Sequence, residues 1–544
     1  MHTPLKKSIF MLISLVLAFT LVIAGCSSNT GNNPEKPSNT PAQQQGGNSG
    51  GDADAPKQQT KPITVSMYDR GNIPPEIGTA EKNLWTEWFN EKVMVNYIPV
   101  PRWESIPKFN ALLAAGDAPD LILEYDGGYR NQLYLQKQLM PLDDLIEQYS
   151  VDYKELLEEF PLLRQLGTKA DGKLYEFGRL LGYIPGAYLF IREDQLQDLG
   201  KSVPGTMEEA YEVMKAYVGK NPGSYATNLS GYGWLDTAFQ NVTWVVEDGE
   251  IVRDWDRIAA VTSYKKRLFD EGLVDKDYLT DKNGEKALQD FLQGKTMMFG
   301  YMGNALQVYN NYETLKKNVP GAKLAVIALP RSEFGQFSPF FNDPVQMTGV
   351  VNVKAEDPES VMRYVDLLSS KSMAHTLKYG HEGVHYKMED GKEVTLDEEK
   401  YTKEVSWLGD FRMLGAQHII NEFSKYMDDL DQSDPFDKEV YDMLDQAYKL
   451  YISKDRPLPE VTKYMPGLPE DIQFILSNVN EPISDLWSRA IVGGSSYSVE
   501  RAVDEAKSLW SKSDGQKVEA FYADWYSENK DTWVFTEDLY DMKF

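Results

Sequence analysis

Cysteine is almost absent from this sequence, with one residue in 544, at position 26. A single cysteine cannot form a disulfide within the chain, so we expect the fold to depend on its hydrophobic core alone. The sequence also lacks the glycine-rich P-loop that cradles phosphates and the nucleophile elbow of serine hydrolases. Neither a P-loop nucleotide site nor a serine nucleophile of that type is therefore expected.

Positive charge is scarce relative to negative charge, because 56 Lys and Arg face 83 Asp and Glu and give a net charge of −27. Such a chain is repelled by nucleic acid and by anionic lipid, so neither is an expected partner. The same charge is a mild argument against strongly anionic glycans as ligands. With so many acidic residues, neighbours such as Glu124 and Asp126 occur by chance and do not by themselves indicate a glycosidase.

Long apolar runs are limited to one, at residues 9–24. This run of about 16 residues is shorter than the roughly 20 that a membrane-spanning helix needs. Lys6 and Lys7 precede it, and small residues followed by Cys26 come after it. The pattern predicts an export signal peptide at residues 1–25, and an integral membrane protein is not expected.

The segment "IAGC" at residues 23–26 resembles the lipobox of bacterial lipoproteins. The resemblance implies that Cys26 carries a lipid that anchors the protein to the outer face of the cytoplasmic membrane, on a Gram-positive cell surface. The alternative is an ordinary signal peptide with a chance cysteine. Residues 27–60 contain no large apolar residue and cannot form a core. We therefore expect residues 26–60 to be a lipidated, disordered tether spanning about 30–35 Å.

The residues after the tether alternate between strand and helix patterns, which is typical of an α/β fold. Residues 61–69 alternate apolar and polar side chains as a strand does, and residues 79–93 have apolar side chains at helical spacing. A strand follows at residues 94–101. Residues 105–126 then read as a helix ending near Gly116, a turn, and a buried parallel strand. A body of this length predicts two to three domains.

Several segments resemble, in order, those of extracellular solute-binding proteins, family 1, and in particular the large LipO-like lipoprotein branch. These segments are "LLAAGDAPDLI" at residues 112–122, "MPLDDLIEQY" at 140–149, "ADGKLYEF" at 170–177, the stretch 188–217, and "FLQGKTMMFGYMGN" at 291–304. The resemblance implies a two-lobed, type II periplasmic-binding-protein-like α/β fold with a ligand cleft and a hinge. It also implies a monomeric receptor that captures an oligosaccharide and delivers it to ABC transporter permease subunits, with no catalysis and no cofactor.

By the same resemblance, lobe 1 is expected to comprise residues 61–188 and 345–375. Lobe 2 is expected to comprise residues 189–344 and 376–544, the latter including a C-terminal helical extension. The expected hinge crossings are residues 186–191 and 338–344.

Most candidate ligand-binding residues follow from the rule that ligands of open α/β sheets lie beyond the carboxyl ends of the strands. Trp234, in the glycine-rich "SGYGWLD", and Glu382, in "EGVHY", are added to them. Aromatic rings stack on the apolar faces of sugars, and carboxylates and amides bind their hydroxyls. Each candidate could instead be a core residue or a helix cap. The candidates are Tyr68, Asp69, Trp103, Asp126, Tyr129, Trp234, Tyr301, Asn304 and Glu382.

The stretch "HEGVH" matches the zinc-protease pattern, in which His381 and His385 would bind zinc and Glu382 would act as general base. Gly380 and Gly383 disfavour the helix that this pattern needs, and Asp390-Gly391 predicts a hairpin just downstream. We therefore expect a strand or loop and no metal site.

Calcium is not expected either. A calcium loop centred on Gly284 would put Leu279 where a carboxylate is required, and the stretch 218–228 lacks clustered carboxylates.

The alternative function is a surface-anchored glycan or peptide hydrolase, using zinc at this stretch or a carboxylate pair. A receptor for peptides, or one that serves signalling, also stays open.

Overall fold

A computed structural model describes residues 61–465 and 468–544. The predicted signal peptide, Cys26 and the tether lie outside the described residues.

The strands run in chain order as β1 (Ile63–Asp69), β2 (Val95–Pro101), β3 (Leu121–Leu123), β4 (Glu176–Leu180), β5 (Ile184–Pro185), β6 (Ala187–Arg192), β7 (Trp244–Glu247), β8 (Glu250–Arg253), β9 (Met298–Met302), β10 (Leu324–Val326), β11 (Phe341–Asn342), β12 (Val345–Val351), β13 (Tyr386–Glu389) and β14 (Lys392–Thr395).

The helices of the first half are α1 (Leu84–Asn90), α2 (Ser105–Ala115), α3 (Gly127–Leu135), α4 (Asp143–Tyr149), α5 (Asp152–Glu159), α6 (Pro161–Gly167), α7 (Glu193–Leu199), α8 (Met207–Lys220), α9 (Trp234–Ala238) and α10 (Asp256–Asp270). Those of the second half are α11 (Glu285–Leu292), α12 (Ala305–Asn318), α13 (Pro358–Ser369), α14 (Lys371–Tyr379), α15 (Glu398–Glu404), α16 (Glu422–Asp429), α17 (Pro435–Tyr451), α18 (Glu470–Val492), α19 (Val499–Lys512) and α20 (Gly515–Asn529).

The larger sheet has five strands in the order β2-β1-β3-β12-β4. Strand β1 is parallel to β2 and to β3, whereas β12 is antiparallel to β3 and β4. The predicted unit of helix, turn and parallel strand is confirmed: α2 ends before Gly116, whose φ of 81° is the left-handed conformation that glycine adopts readily, and β3 follows. The carboxyl ends of three neighbouring strands therefore meet at one edge.

The smaller sheet has the antiparallel order β10-β6-β9 and is covered by apolar residues on both faces. The chain passes from the large sheet to this one through β5 and returns through β11, and β5 and β11 pair with each other. The first crossing lies just before the expected residues 186–191, because β6 is already the central strand of the small sheet.

The chain after residue 375 packs on both lobes. Residues of α16 and α17 join the core of the small sheet and α18, α19 and α20 pack on the β7–β8 hairpin, whereas a further part packs on the large sheet. Leu408, Phe411 and Leu414 pack in the core of the five-stranded sheet, and Val534 and Leu539 join them. These side chains have nine-tenths or more of their surface buried there, which accounts for their position. The exact lobe limits stay a prediction.

The helices α18, α19 and α20 of the C-terminal extension form a further cluster on the β7–β8 hairpin. Trp244 and Ile251 of the hairpin pack against apolar residues of α18, α19 and α20. Arg253 lies over the rings of Trp255 and Trp510, with its guanidinium carbon 4.2 Å from each ring centre. Among the described residues, no helix combines the length and apolarity needed to cross a bilayer.

Candidate functional site

A large cavity of about 880 Å³ opens between the carboxyl edge of the five-stranded sheet and the C-terminal segment. The sheet wall is formed by β4 and by residues that follow β3. The extension wall comes from the loop before α18 and from α20 and the residues after it. The sheet wall is Tyr125, Arg130, Asn131, Tyr134 and Glu176, and the extension wall is Lys463, Tyr464, Phe521, Trp525 and Trp533.

The extension wall is mainly aromatic. The rings of Trp525 and Trp533 meet edge to face with centres 5.5 Å apart, and the indole Nε1 of Trp533 donates to the carbonyl of Tyr464 at 2.7 Å. These contacts fix the ring orientations. The wall therefore offers preset flat faces on which an apolar surface can stack.

The sheet wall is held by buried charge. Arg130 and Glu176 pair at 2.8 Å with side chains only 6% and 4% exposed, and Lys169 also binds Glu176. Burial alone would raise the pKa of Glu176, but the positive charges of Arg130 and Lys169 outweigh burial and hold that pKa below its ordinary value. The Glu176 carboxylate therefore stays ionised, and its ion pair with Arg130 holds α3 against β4.

A small cavity of about 330 Å³ shares Tyr125 with the large one. Arg70, Arg179 and Arg412 line it together with Asp410 and Glu422. The guanidinium of Arg70 binds Asp410 in a bidentate pair at 2.5 and 2.8 Å. The two cavities are neighbours on either side of Tyr125, and we refer to them together as the groove.

The predicted residues of the first three strand ends lie near this groove, but none of them lines either cavity. Tyr68 is buried and stacks on Tyr125, with ring centres 5.6 Å apart. Asp126 accepts a hydrogen bond from the backbone N–H of Tyr129 and caps α3. Trp103 is 85% exposed and has a ring face free for a ligand. Asp69 is exposed and accepts from the N–H of Gly71.

Two of the candidates have buried side chains that pack in the protein interior. Tyr129 is buried, stacks on Phe109 and donates its hydroxyl to Asn110. Trp234 is fully buried, and its Nε1 donates to the hydroxyl of Thr227. Its ring packs against Gly300 of β9, and its role as a ligand contact stays a prediction.

The remaining three candidates also lie outside the two cavities. Tyr301 is half-buried on β9 and packs against the core of the small sheet. Asn304 caps α12 through a reciprocal pair of bonds with Gln307. Glu382 is exposed in the turn that precedes β13. Their roles as ligand contacts stay predictions.

Sequence reasoning missed most of the residues that line the cavities. Tyr125 and Arg130 lie one and four positions from the predicted Asp126, so the strand-end rule found the correct edge but not the inward-facing side chains. Trp525 and Trp533 are not among the predicted residues. Their signal was the aromatic cluster "DWYSENKDTWVF" at residues 524–535, near the C-terminus.

The "HEGVH" stretch is a turn between α14 and the β13–β14 hairpin, as expected, and not a helix. Gly380 and Gly383 have φ of 81° and 75°. His385 is buried, its Nδ1 accepts the backbone N–H of His381 at 2.9 Å, and its Nε2 lies 2.9 Å from Glu404. Both ring nitrogens are therefore used within the protein, and the helical zinc-protease geometry is not formed. Among the described residues, no group of three metal-binding side chains is found.

Comparison with known proteins agrees with this architecture. The chain is 24% identical over 432 residues to the polygalacturonan/rhamnogalacturonan-binding protein YtcQ of Bacillus subtilis, covering 76% of this chain and 80% of that protein. It is 23% identical over 467 residues to lipoprotein LipO of the same organism, covering 79% and 86%.

A solved structure shows the same fold. The Streptococcus pneumoniae ABC-transporter substrate-binding protein FusA, in complex with kestose, superposes with a TM-score of 0.62 at 17% identity, covering 87% of this chain and 100% of FusA. The predicted two-lobed α/β fold is thereby confirmed. The family model for bacterial extracellular solute-binding proteins matches residues 72–374, more than half of the chain. The chain is therefore a member of the bacterial extracellular solute-binding protein family.

Proposed function

We propose that the protein is a cell-surface receptor that binds an oligosaccharide and delivers it to the permease subunits of an ABC importer, without breaking a bond. The observation that carries the proposal is the large cavity with its aromatic extension wall and charged sheet wall. A volume of 880 Å³ lies in the usual range for small-molecule sites. The similarity to YtcQ, a polygalacturonan/rhamnogalacturonan-binding protein, and to FusA, whose structure holds kestose, supports this ligand class.

The chemistry of the two walls suits a sugar. Trp525 and Trp533 present flat apolar faces, on which the CH faces of a pyranose or furanose ring stack. Asn131 and Asp343 add fixed polar groups within reach of hydroxyls in the same cavity. We infer that the lobes close on the ligand about the β5–β11 crossing, where two short strands connect the large and small sheets.

The predicted position at the cell surface belongs to the same proposal. A lipid on Cys26 and the tether of residues 26–60 would hold the body at the outer face of the membrane. The permease is then reachable without diffusion away from the cell. The body acts as a monomer in this scheme.

A ligand screen with a check for cleavage tests the proposal. The purified full-length protein is melted with neutral and acidic oligosaccharides and with short peptides, and every well is then assayed for products. A ligand at 100 times its dissociation constant should stabilise the folded state by roughly 2.7 kcal/mol, which raises the melting temperature by a few degrees. A shift with intact sugar supports the receptor. Cleaved ligand would support the hydrolase, and a shift with peptides alone would replace the ligand class.

A further inference from the structure

A stack of two tyrosines at the sheet edge carries three guanidinium groups. The rings of Tyr68 and Tyr125 are nearly parallel, at 6°, with centres 5.6 Å apart. The guanidinium carbon of Arg102 lies 4.8 Å from the Tyr68 ring centre and 5.1 Å from that of Tyr125. Arg70 lies 5.9 Å from the Tyr68 ring and Arg179 lies 5.3 Å from the Tyr125 ring. We call these five residues the arginine stack.

Only one of the three arginines has a carboxylate partner. Arg70 is neutralised by Asp410. Arg179 donates to the side-chain carbonyl of Gln346 and to the backbone carbonyl of Arg412, both uncharged. Within residues 61–465 and 468–544, no hydrogen bond or ion pair is found for Arg102, and its Nε is buried without an acceptor.

This lack of acidic partners is unexpected in so acidic a protein. The chain has 83 carboxylate side chains for 56 Lys and Arg, so an arginine has an abundance of carboxylates with which to pair. A buried donor without an acceptor costs about 1–3 kcal/mol, and such a cost is commonly found where a ligand completes the site. The unsatisfied Nε of Arg102, and the absence of a carboxylate among the hydrogen-bond partners of Arg179, favour an anionic ligand at this edge.

Part of the arginine stack reaches the point where the two cavities meet, whereas Tyr68 and Arg102 line neither cavity and contact the stack through the Tyr125 ring. Tyr125 lines both cavities, and Arg70 and Arg179 line the small one. Burial raises the pKa of Tyr125, while the positive charges of Arg179, Arg70 and Arg102 act against this rise. Next to Arg102, the ring of Trp103 is 85% exposed. Positive charge and a free aromatic face thus occur side by side at the groove.

We propose that the arginine stack binds a carboxylate group of an acidic oligosaccharide, so that the receptor prefers uronate-containing ligands. The inference rests on the proposed oligosaccharide function and narrows its ligand class. The planar fork of an arginine matches the two oxygens of a carboxylate, whereas a neutral hydroxymethyl group leaves the charge unpaired. The net charge of −27 argues only mildly against an anionic ligand, because the potential at a site depends on the nearest charges and distant ones are screened. The nearest charges here are Arg102 and Arg179, the Arg70–Asp410 pair, and the buried carboxylate of Glu124 beside Tyr68.

Matched ligands and variants test the inference. Binding of trigalacturonate and trimannuronate to the full-length protein is measured by calorimetry, each beside its fully methyl-esterified form, which has the same length and linkages but no charge. Neutral maltotriose and kestose complete the panel. We expect at least one acid to bind tenfold or more tightly than its ester, and this ratio should fall as salt is raised.

The variants separate charge from packing. Arg102→Met keeps an unbranched side chain over the tyrosines but removes the charge, and it should reduce the acid-to-ester ratio at least fivefold with ester binding unchanged. Arg102→Lys should retain part of the ratio. If Arg102→Met folds poorly, Arg179→Gln tests the same loss of positive charge in the arginine stack. Arg501→Met, at an exposed arginine of α19, is the matched control.

Each outcome decides the question. A ratio that Arg102→Met or Arg179→Gln lowers, and Arg501→Met does not, supports carboxylate binding. Equal affinity for acids and esters, or a ratio untouched by the first two variants, overturns the inference while oligosaccharide binding stands. Failure of the whole panel, neutral and acidic, overturns the proposed function and this inference together.

Discussion

The two walls of the large cavity are built in opposite ways. The sheet wall depends on a buried ion pair between Arg130 and Glu176, whereas the extension wall depends on aromatic rings such as Trp525 and Trp533. The first wall lies within the family match at residues 72–374, and the second lies beyond it. The shared family fold therefore supplies a rigid, charged half of the groove, and the C-terminal extension supplies its apolar half. Discrimination between sugars of equal charge is therefore expected to reside mainly in the extension.

The largest expected effect is loss of stability when the sheet wall loses a buried charge. Arg130→Met leaves the Glu176 carboxylate buried, with Lys169 as its remaining charged partner. Breaking a buried pair in this way costs about 3–5 kcal/mol, and Lys169 favours the lower end. Urea unfolding measures the change. The control Lys438→Met breaks an exposed pair on α17 and should cost less than about 0.5 kcal/mol. A loss below about 1 kcal/mol for Arg130→Met would show that the sheet wall is not held by this pair.

The next effect is on binding and falls on the extension wall. Trp525→Ala removes a half-buried ring from the cavity, and we expect ligand affinity to fall about tenfold, since a stacked ring contributes of the order of 1–2 kcal/mol. Calorimetry with whichever sugar stabilises the protein gives the change. Phe474→Ala, on α18, is the control, because that ring is 68% exposed and outside the large cavity. Equal affinity for wild type and Trp525→Ala would remove the extension from the binding site.

Lowering the pH should destabilise the sheet wall but not the extension wall, because only the sheet wall depends on a carboxylate of lowered pKa. The pKa of Glu176 is lower in the folded than in the unfolded state, so its contribution to stability is present above the unfolded pKa of about 4.3 and is lost as pH falls toward the folded value. Glu176→Gln should be less stable than wild type at pH 7, and its stability should fall less steeply between pH 5 and pH 3. Melting temperatures across this range measure both slopes. Parallel curves for the two proteins would contradict the assignment.

Local sequence patterns predicted the folded elements better than the site. The strand at residues 63–69 and the helix, turn and strand that end at Leu123 follow from periodicity and from Gly116, which are properties of neighbouring residues. The caps at Asp126 and Asn304 are local as well. Tyr125, by contrast, lies two residues beyond β3 and lines the groove while stacked on Tyr68, which is 57 positions away in the chain. Trp525 is 400 positions from Tyr125 in the chain, and the two share a cavity only through tertiary packing.

The smallest effect is expected outside both walls, at Glu382. This side chain is exposed in a turn, and neither cavity includes it. Glu382→Gln should therefore change the free energy of unfolding by less than about 0.5 kcal/mol and at most weaken sugar binding. Glu389→Gln, on the neighbouring hairpin, is the matched control.

If the protein were instead a zinc hydrolase, Glu382 would be its general base, and the same substitution would abolish turnover while elemental analysis found one zinc per chain. We expect no stoichiometric zinc, because the ring nitrogens of His385 already bind the backbone N–H of His381 and the carboxylate of Glu404. Zinc at one per chain, together with turnover that Glu382→Gln abolishes, would move the function away from both walls and into this turn.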